Sequence, residues 1–313
     1  KLQGGTAVWA HAFFGDGDTQ LLDIAVAPDG RVLATGAFDN TLMHDSGVFG
    51  TLMGSSYEVW VGTFDPSDGT PDFLYGFGGP GLDGAYAVAP SADGGIVVAG
   101  GFEQTLQFGA TSLPSAGSFD GFVGKLDAEG NPDWAKSYGD TESFITIDMA
   151  VDPSNDDIVI ALGTVQTVDF GGGPLAGSGP TDADIVVARL DSAGNHKWSK
   201  RWASPGDQIA HSVAAAGGKT YVGGQFMGSF DAGGGVRTSA GGNDVFVVAL
   251  DEAGNHLWSK GFGDAAEQTL GSLAATPGAV LLAGQFDGTI DFGGGPLQSQ
   301  GGSDIFVARL STP

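Results

Sequence analysis

The residues best equipped for chemistry in this sequence are carboxylates and imidazoles that recur at matching places along the chain. When short apolar stretches are aligned on the glycine of the stretch that follows, one column reads Asp23, Ala85, Asp148, His211 and Gly271, with Tyr86 beside it. Two carboxylates and an imidazole near one axis could bind a divalent cation or act as acid and base. Polar residues beside a water-filled tunnel are the plainer reading of the same column. A second set of acids falls in loops: Asp16, Asp18, Asp140, Asp207 and Asp264, then Asp169, Asp231 and Asp291. A third set is Glu58, Asp120, Asp184, Asp244 and Asp304. A ring of such oxygens suits Ca²⁺, which takes six to eight of them. Equally, Asp side chains hold turn N–H groups, and every repeat needs the same turn.

Other chemistry finds little support. Asp16-Gly17-Asp18 opens like a calcium loop, but Leu21 and Ala27 stand where the helix–loop–helix motif needs Gly and Glu. There is no G-x-S-x-G elbow, phosphate loop or H-E-x-x-H, and without cysteine there is no thiol nucleophile or ligand. Gly171-Gly172-Gly173 and its copies read as turn glycines, because no helix follows to present N–H groups. His196 and His256 occupy equivalent places, so duplication accounts for them, and His11 lies on a strand assigned below to closure.

The elements that would position these residues are repeats. The aromatics Trp9, Phe73, Trp134, Trp198 and Trp258 recur about every 60 residues, each after an Asp-x-x-Gly-Asn-like turn. In the fourth repeat the segments 210–216, 220–226, 244–251 and 255–263 read as strands, the third apolar enough to be buried on both faces. Four-stranded units in tandem predict an all-β, single-domain, five-bladed β-propeller with blades at about 15–78, 79–140, 141–204, 205–264, and 265–313 plus 1–14. The last repeat ends after a third strand, so residues 6–14 are expected to complete it and close the ring. The first repeat departs most from the others: it lacks D-F-G-G-G and carries Met43, His44 and Met53 within 40–56. Departures of this kind are where a repeat protein can place a site.

Composition narrows the partners. The chain has 313 residues, 56 of them Gly, with 37 acids against 12 bases and a formal charge of −25. Nucleic-acid binding is disfavoured, since phosphate contacts need clustered Lys and Arg. The acidity suits a saline or calcium-rich exterior. No apolar run approaches the roughly 18 residues of a membrane span. A chain opening on Lys1 is expected to be a trimmed or mature form.

The repeats resemble a bacterial β-propeller repeat of secreted and cell-surface proteins. The likeness rests on Gly139-Asp140, Gly206-Asp207 and Gly263-Asp264; on Gly224-Gln225-Phe226 and Gly284-Gln285-Phe286; on D-F-G-G-G-P-L at 169–175 and 291–297; and on the D-[IV]-[FV]-V-A-[RK]-L-like third strands and G-N-x-x-W. It spans nearly the whole chain and implies a fold more than an activity. The expected function is a non-catalytic, monomeric binding module in the periplasm, at the cell surface or outside the cell. Its ligand would be a small molecule, a glycan or a surface protein, met at the loop face or the axis, with Ca²⁺ the one cofactor admitted. The competing classes are a propeller enzyme of lactonase, lyase or glycosidase type using Asp23, Asp148 and His211, and a scaffold within a larger surface protein.

Overall fold

In the computed structural model, the described residues are 2–3, 6–45, 47–51, 56–139, 146–165, 167–177, 179 and 181–312. They contain strands and turns and no helix, so none of them forms a helix long and apolar enough to cross a membrane. The chain divides into two compact units, Lys1–Phe144 and Ile145–Pro313.

The first unit holds two four-stranded antiparallel sheets with strands in sequence order. Sheet one is Thr19–Val26, Val32–Phe38, Glu58–Phe64 and Pro71–Phe77; sheet two is Asp83–Pro90, Ile96–Phe102, Asp120–Leu126 and Pro132–Tyr138. The second unit holds sheet three, Thr146–Val151, Ile158–Thr164, Asp184–Leu190 and His196–Trp202, and sheet four, Gln208–Ala216, Lys219–Phe226, Asp244–Leu250 and His256–Phe262. Sheet five has three strands, Gln268–Thr276, Ala279–Phe286 and Asp304–Ser311. These are the four-stranded repeats expected from the sequence, with strand ends within a few residues of the expectation.

Why these residues form these strands is visible in their burial. The third strands of sheets one to four are buried at every position, as their mostly apolar residues require, and the polar Thr63, Lys125 and Arg189 among them are buried too. The turns that follow them are built by their own residues. Asp127 accepts from the N–H groups of Glu129 and Asn131 at 3.0 and 2.8 Å while Gly130 takes a φ of 84°, a left-handed value that glycine adopts without cost. Asp191 and Asp251 repeat the arrangement with Asn195 and Asn255, both at 2.7 Å.

Successive sheets within a unit are joined by side chains from their first strands. The Asp23 carboxylate accepts from Ile24 N–H and from Val88 N–H in sheet two, both at 2.8 Å. Asp148 accepts from Met149 N–H at 2.9 Å and from Val213 N–H in sheet four at 2.8 Å. Ser212 Oγ accepts from Leu273 N–H in sheet five at 3.1 Å. Aromatics join sheets as well: Phe73 lies across Gly130, and Trp198 lies across Gly254 while donating to the Glu252 carbonyl at 2.9 Å.

The N-terminal segment differs from the single long strand expected over 6–14. Leu2–Gln3 pairs with Thr6–Ala7, and Phe13–Phe14 pairs with Thr41–His44 of the first repeat. Asp304–Ser311 is laddered to Ala279–Phe286 and to no other strand among the described residues. The local reason is aromatic: Phe13 stacks on Trp60 at 5.3 Å and meets Phe64 edge-on at 5.5 Å, which holds the segment on sheet one. Each unit also leaves one apolar face open. Leu21, Ile24 and Val26 of sheet one are 58%, 58% and 66% exposed, and Ile305 and Val307 of sheet five are 79% and 77% exposed.

Candidate functional site

Most of the acids singled out by the sequence are spent on the fold. Asp169, Asp231 and Asp291 each accept from two glycine N–H groups of the loop that follows, at 2.7 to 3.1 Å. Asp120, Asp244 and Asp304 each accept from the N–H four residues upstream, at 2.7 to 2.9 Å. Asp264 takes three donors, from Ala266, Thr289 and Gln268; the Ala266 N–H, despite some burial, leads in holding its carboxyl below the usual range. Asp207 accepts from Ala183 N–H at 3.1 Å, and Asp18 from the Tyr57 hydroxyl at 2.8 Å. Asp140 lies outside the described residues, and Asp16 meets none of the other loop acids in a cluster of three.

The axial column separates on inspection of register. Asp23 and Asp148 pair opposite Thr35 and Ala161, the places that Ser212 and Ser272 hold opposite Gly223 and Ala283. Tyr86, His211 and Gly271 are instead the extra residue of a β-bulge, between Ala85 and Ala87, Ala210 and Ser212, and Leu270 and Ser272. The Asp23 carboxyl is raised by burial against the opposing pull of its two N–H donors. His211 is half-buried, and burial pushes its imidazole down. Tyr86 borders a hollow of about 220 Å³ with Gln20, Leu22, Tyr57, Leu82 and Asp83.

One constellation is not explained by the repeats. His11, His44 and Asp45 in the first unit bring their ligand atoms within 4.8 Å of one another, the one such group of three or more His, Cys, Asp and Glu among the described residues. His11 Nδ1 stands 2.9 Å from both Asp45 carboxylate oxygens, and His44 Nδ1 stands 3.0 Å from Asp45 Oδ1. His11 Nε2 donates to the Asp68 carbonyl at 2.7 Å. That bond, followed by the one to Asp45, raises the His11 imidazole; burial lowers His44; and the His11 contact lowers the Asp45 carboxyl. Of the group, His11 lines a cleft of about 400 Å³ whose walls include Trp9, Phe13, Trp60, Phe64, Leu21 and Ile24, while His44 is buried.

Alignment on the ladders shows what these residues replace. Phe14 pairs with Met43, as Gly78 bridges Gln107 in the next repeat. His44 and Asp45 therefore occupy the places of Phe108 and Gly109, and of Phe292 and Gly293 in the last repeat. His11, two residues after Trp9, occupies the place of Tyr75, Lys136, Lys200 and Lys260. Three columns that meet in space are changed together. Sequence reading set His11 aside and noted His44 only as part of an irregular loop; aligning T-L-M-H-D at 41–45 with T-L-Q-F-G at 105–109 would have found the pair.

No protein-family description and no curated protein matches the chain. Among solved structures, a quinohemoprotein alcohol dehydrogenase from Pseudomonas putida HK5 is similar over 85% of the chain at 11% identity with a TM-score of 0.41. The chain spans 56% of that protein's length. BamB from Moraxella catarrhalis is similar over 97% of the chain and 88% of its own length, at 13% identity with a TM-score of 0.33. Similarity this low carries neither protein's activity nor its partners over to this chain.

Proposed function

We propose that the chain is a non-catalytic binding module displayed outside the cytoplasm, and that it meets its ligand at the surface formed by Trp9, His11 and Asp45, with His44 buried against them. The observation that carries this reading is the joint departure of three adjoining columns from an otherwise repeated pattern, because identical repeats offer only identical surroundings. A binding role is favoured over an axial enzyme because Asp23 and Asp148 already accept two backbone N–H groups each. The charge of −25 suits an exterior setting. The test is a thermal-shift screen of glycans and small molecules against the wild type and Asp45→Gly, the residue its siblings carry. A ligand that raises the wild-type melting temperature and leaves the variant's unchanged supports the site by mass action. Ligands that shift both proteins equally overturn it.

The five-bladed ring closed by residues 6–14 belongs to the same proposal. In the first unit, Trp9 lies across Gly69 and donates to the Pro66 carbonyl at 3.2 Å, the contacts Trp198 makes with Gly254 and Glu252. The segment thus behaves as the outer strand of a preceding blade, and sheet five is the sheet with an outer strand to gain. Closure would cover Leu21, Ile24 and Val26, so the apolar wall of the cleft, with Leu21 and Ile24, is read as a packing face and its His11 edge as the binding surface. Deleting residues 1–14 should lower the melting temperature far more than loss of a frayed end; a truncated chain that melts like the full one would refute closure.

A further inference from the structure

We propose that His11, His44 and Asp45 form a binding site for a divalent transition metal of the Zn²⁺ class, with Nδ1 of each histidine and the Asp45 carboxylate as ligands. This rests on the site named above and specifies its chemistry. The argument begins with the hydrogen on His11. The Asp68 carbonyl can only accept, so Nε2 at 2.7 Å carries the proton. In a neutral ring Nδ1 then bears a lone pair, yet it faces both oxygens of Asp45 at 2.9 Å. Two electron-rich atoms at that distance need a proton or a metal ion between them. His44 Nδ1 adds a second nitrogen 3.0 Å from Asp45 Oδ1. A single divalent ion satisfies all three groups with both imidazoles neutral, where the metal-free alternative needs His11 charged and His44 as its Nδ1–H tautomer.

The geometry and the donor set agree on the class of metal. Zn²⁺ binds imidazole nitrogen at about 2.0–2.1 Å, which places neighbouring ligand atoms of a tetrahedral site about 3.3 Å apart. The 2.9 and 3.0 Å separations need a small expansion to admit the ion, and the two imidazole nitrogens, which lie within 4.8 Å of one another, must settle to the same spacing. Two nitrogens and one carboxylate favour Zn²⁺, Cu²⁺ or Ni²⁺ over Ca²⁺ and Mg²⁺, which take mostly oxygen. The Asp68 carbonyl supplies the outer contact that fixes a ligating imidazole in one tautomer and one orientation. Three protein ligands leave a position for a donor atom from water or from a bound molecule. None of the sibling repeats carries this set: their Phe–Gly or Ala–Gly pairs and Tyr or Lys residues offer no two imidazoles and carboxylate.

The experiment is isothermal titration of the metal-free chain with Zn²⁺ alone, and with Ca²⁺ and Mg²⁺ alone. Co²⁺ absorption then reports the coordination number. The variants are His11→Lys and Asp45→Gly, each the residue found in sibling repeats and so compatible with the fold; far-ultraviolet circular dichroism checks that they fold. One Zn²⁺ per chain, weakened about tenfold or more in both folded variants, with the intense visible bands of four-coordinate Co²⁺, is the expected result. No Zn²⁺ binding, or binding that both variants retain, overturns the metal site. Loss of the metal result while ligand shifts still depend on Asp45 would leave the binding surface standing; metal binding with no Asp45-dependent ligand shift would do the reverse.

Discussion

Replacing Asp83 by Asn should stabilise the first unit at neutral pH and leave it nearly unchanged in acid. Glu58 and Asp83 are both 3% exposed, and a methyl group added to Gly78 would strike both carboxylates. Burial, then the charge of Asp83, pushes Glu58 up to about 7; burial likewise pushes Asp83 up to about 7 against the N–H of Gly79. The repeats supply the control, because Gln208 and Gln268 stand where Asp83 does, opposite Phe226 and Phe286 as Asp83 is opposite Phe102. Gln268 Oε1 accepts from the N–H four residues upstream, as Asp83 Oδ2 does, so an amide oxygen can fill that role. A carboxyl whose pKa is higher folded than unfolded holds its proton more tightly in the folded chain. Its stabilising protonation is complete below the unfolded value of 3.8 and is lost as pH rises to about 7. That interval is worth about 4 kcal/mol for one carboxyl titrating alone, and local relaxation with water entry reduces it to about 2 kcal/mol. Urea unfolding followed by tryptophan fluorescence across the acidic-to-neutral range should show the Asp83→Asn midpoint level with wild type below about pH 4, rising progressively above it from there, and levelling off near pH 7. A constant offset at every pH, or a variant less stable near neutrality, would refute the reasoning.

Other outcomes follow from the same contacts. Asp148→Ala strands the Val213 N–H and should cost about 1–3 kcal/mol, with faster hydrogen exchange at Val213, whereas Asp148→Asn keeps an acceptor and should cost less. Arg189 is fully buried, donates to Asp157 at 2.7 Å and Asp152 at 2.8 Å, and also reaches the Gly218 carbonyl. Arg189→Ala leaves two carboxylates without their guanidinium and should cost about 3–5 kcal/mol, read as a lower urea midpoint; replacing Arg189, Asp152 and Asp157 together by apolar residues should recover much of that loss. Gly254→Ala should destabilise the second unit, because the added carbon would stand 2.7 Å from the Trp198 ring at a φ of 80°; Trp198→Ala in the same chain should relieve the clash but not the backbone strain. His44→Phe should raise the metal-free melting temperature, since Phe fills the equivalent place beside Phe77 and burial disfavours a charged imidazole; a fall would show that the imidazole itself serves the fold.

The fold was legible wherever a repeat stated the same instruction several times. Apolar third strands, Asp-x-x-Gly-Asn turns and spaced aromatics each name a local structure, and three to five copies average out the ambiguity of any single stretch. The axial column was misread for a physical reason. A β-bulge adds one residue to one strand without disturbing the ladder on either side, and nothing in the residues around Tyr86 and His211 announces it. Counting from the next glycine therefore put His211 in the column of Asp148, when Ser212 is the residue that shares its register and Asp148 itself reaches Val213. Similarly, Asp169, Asp231 and Asp291 looked like ligands because they repeat, yet repetition is what a structural turn produces.

That inversion bears on where function sits in such chains. A residue kept in every repeat is explained by what every repeat must do: turn, cap a loop, or join the next sheet. The stapling carboxylates Asp23 and Asp148 are explained by the last of these, since the same first-strand place in sheet four carries Ser212, which makes the same kind of bond with a shorter side chain, although sheet two has Ala87 there. His11, His44 and Asp45 have no such explanation. Each replaces a residue that serves the siblings well, and a buried imidazole beside Phe13 and Phe64 costs stability that Phe would supply. Local departures that weaken a fold without structural return are expected where a chain meets a ligand, and here three of them converge on one carboxylate.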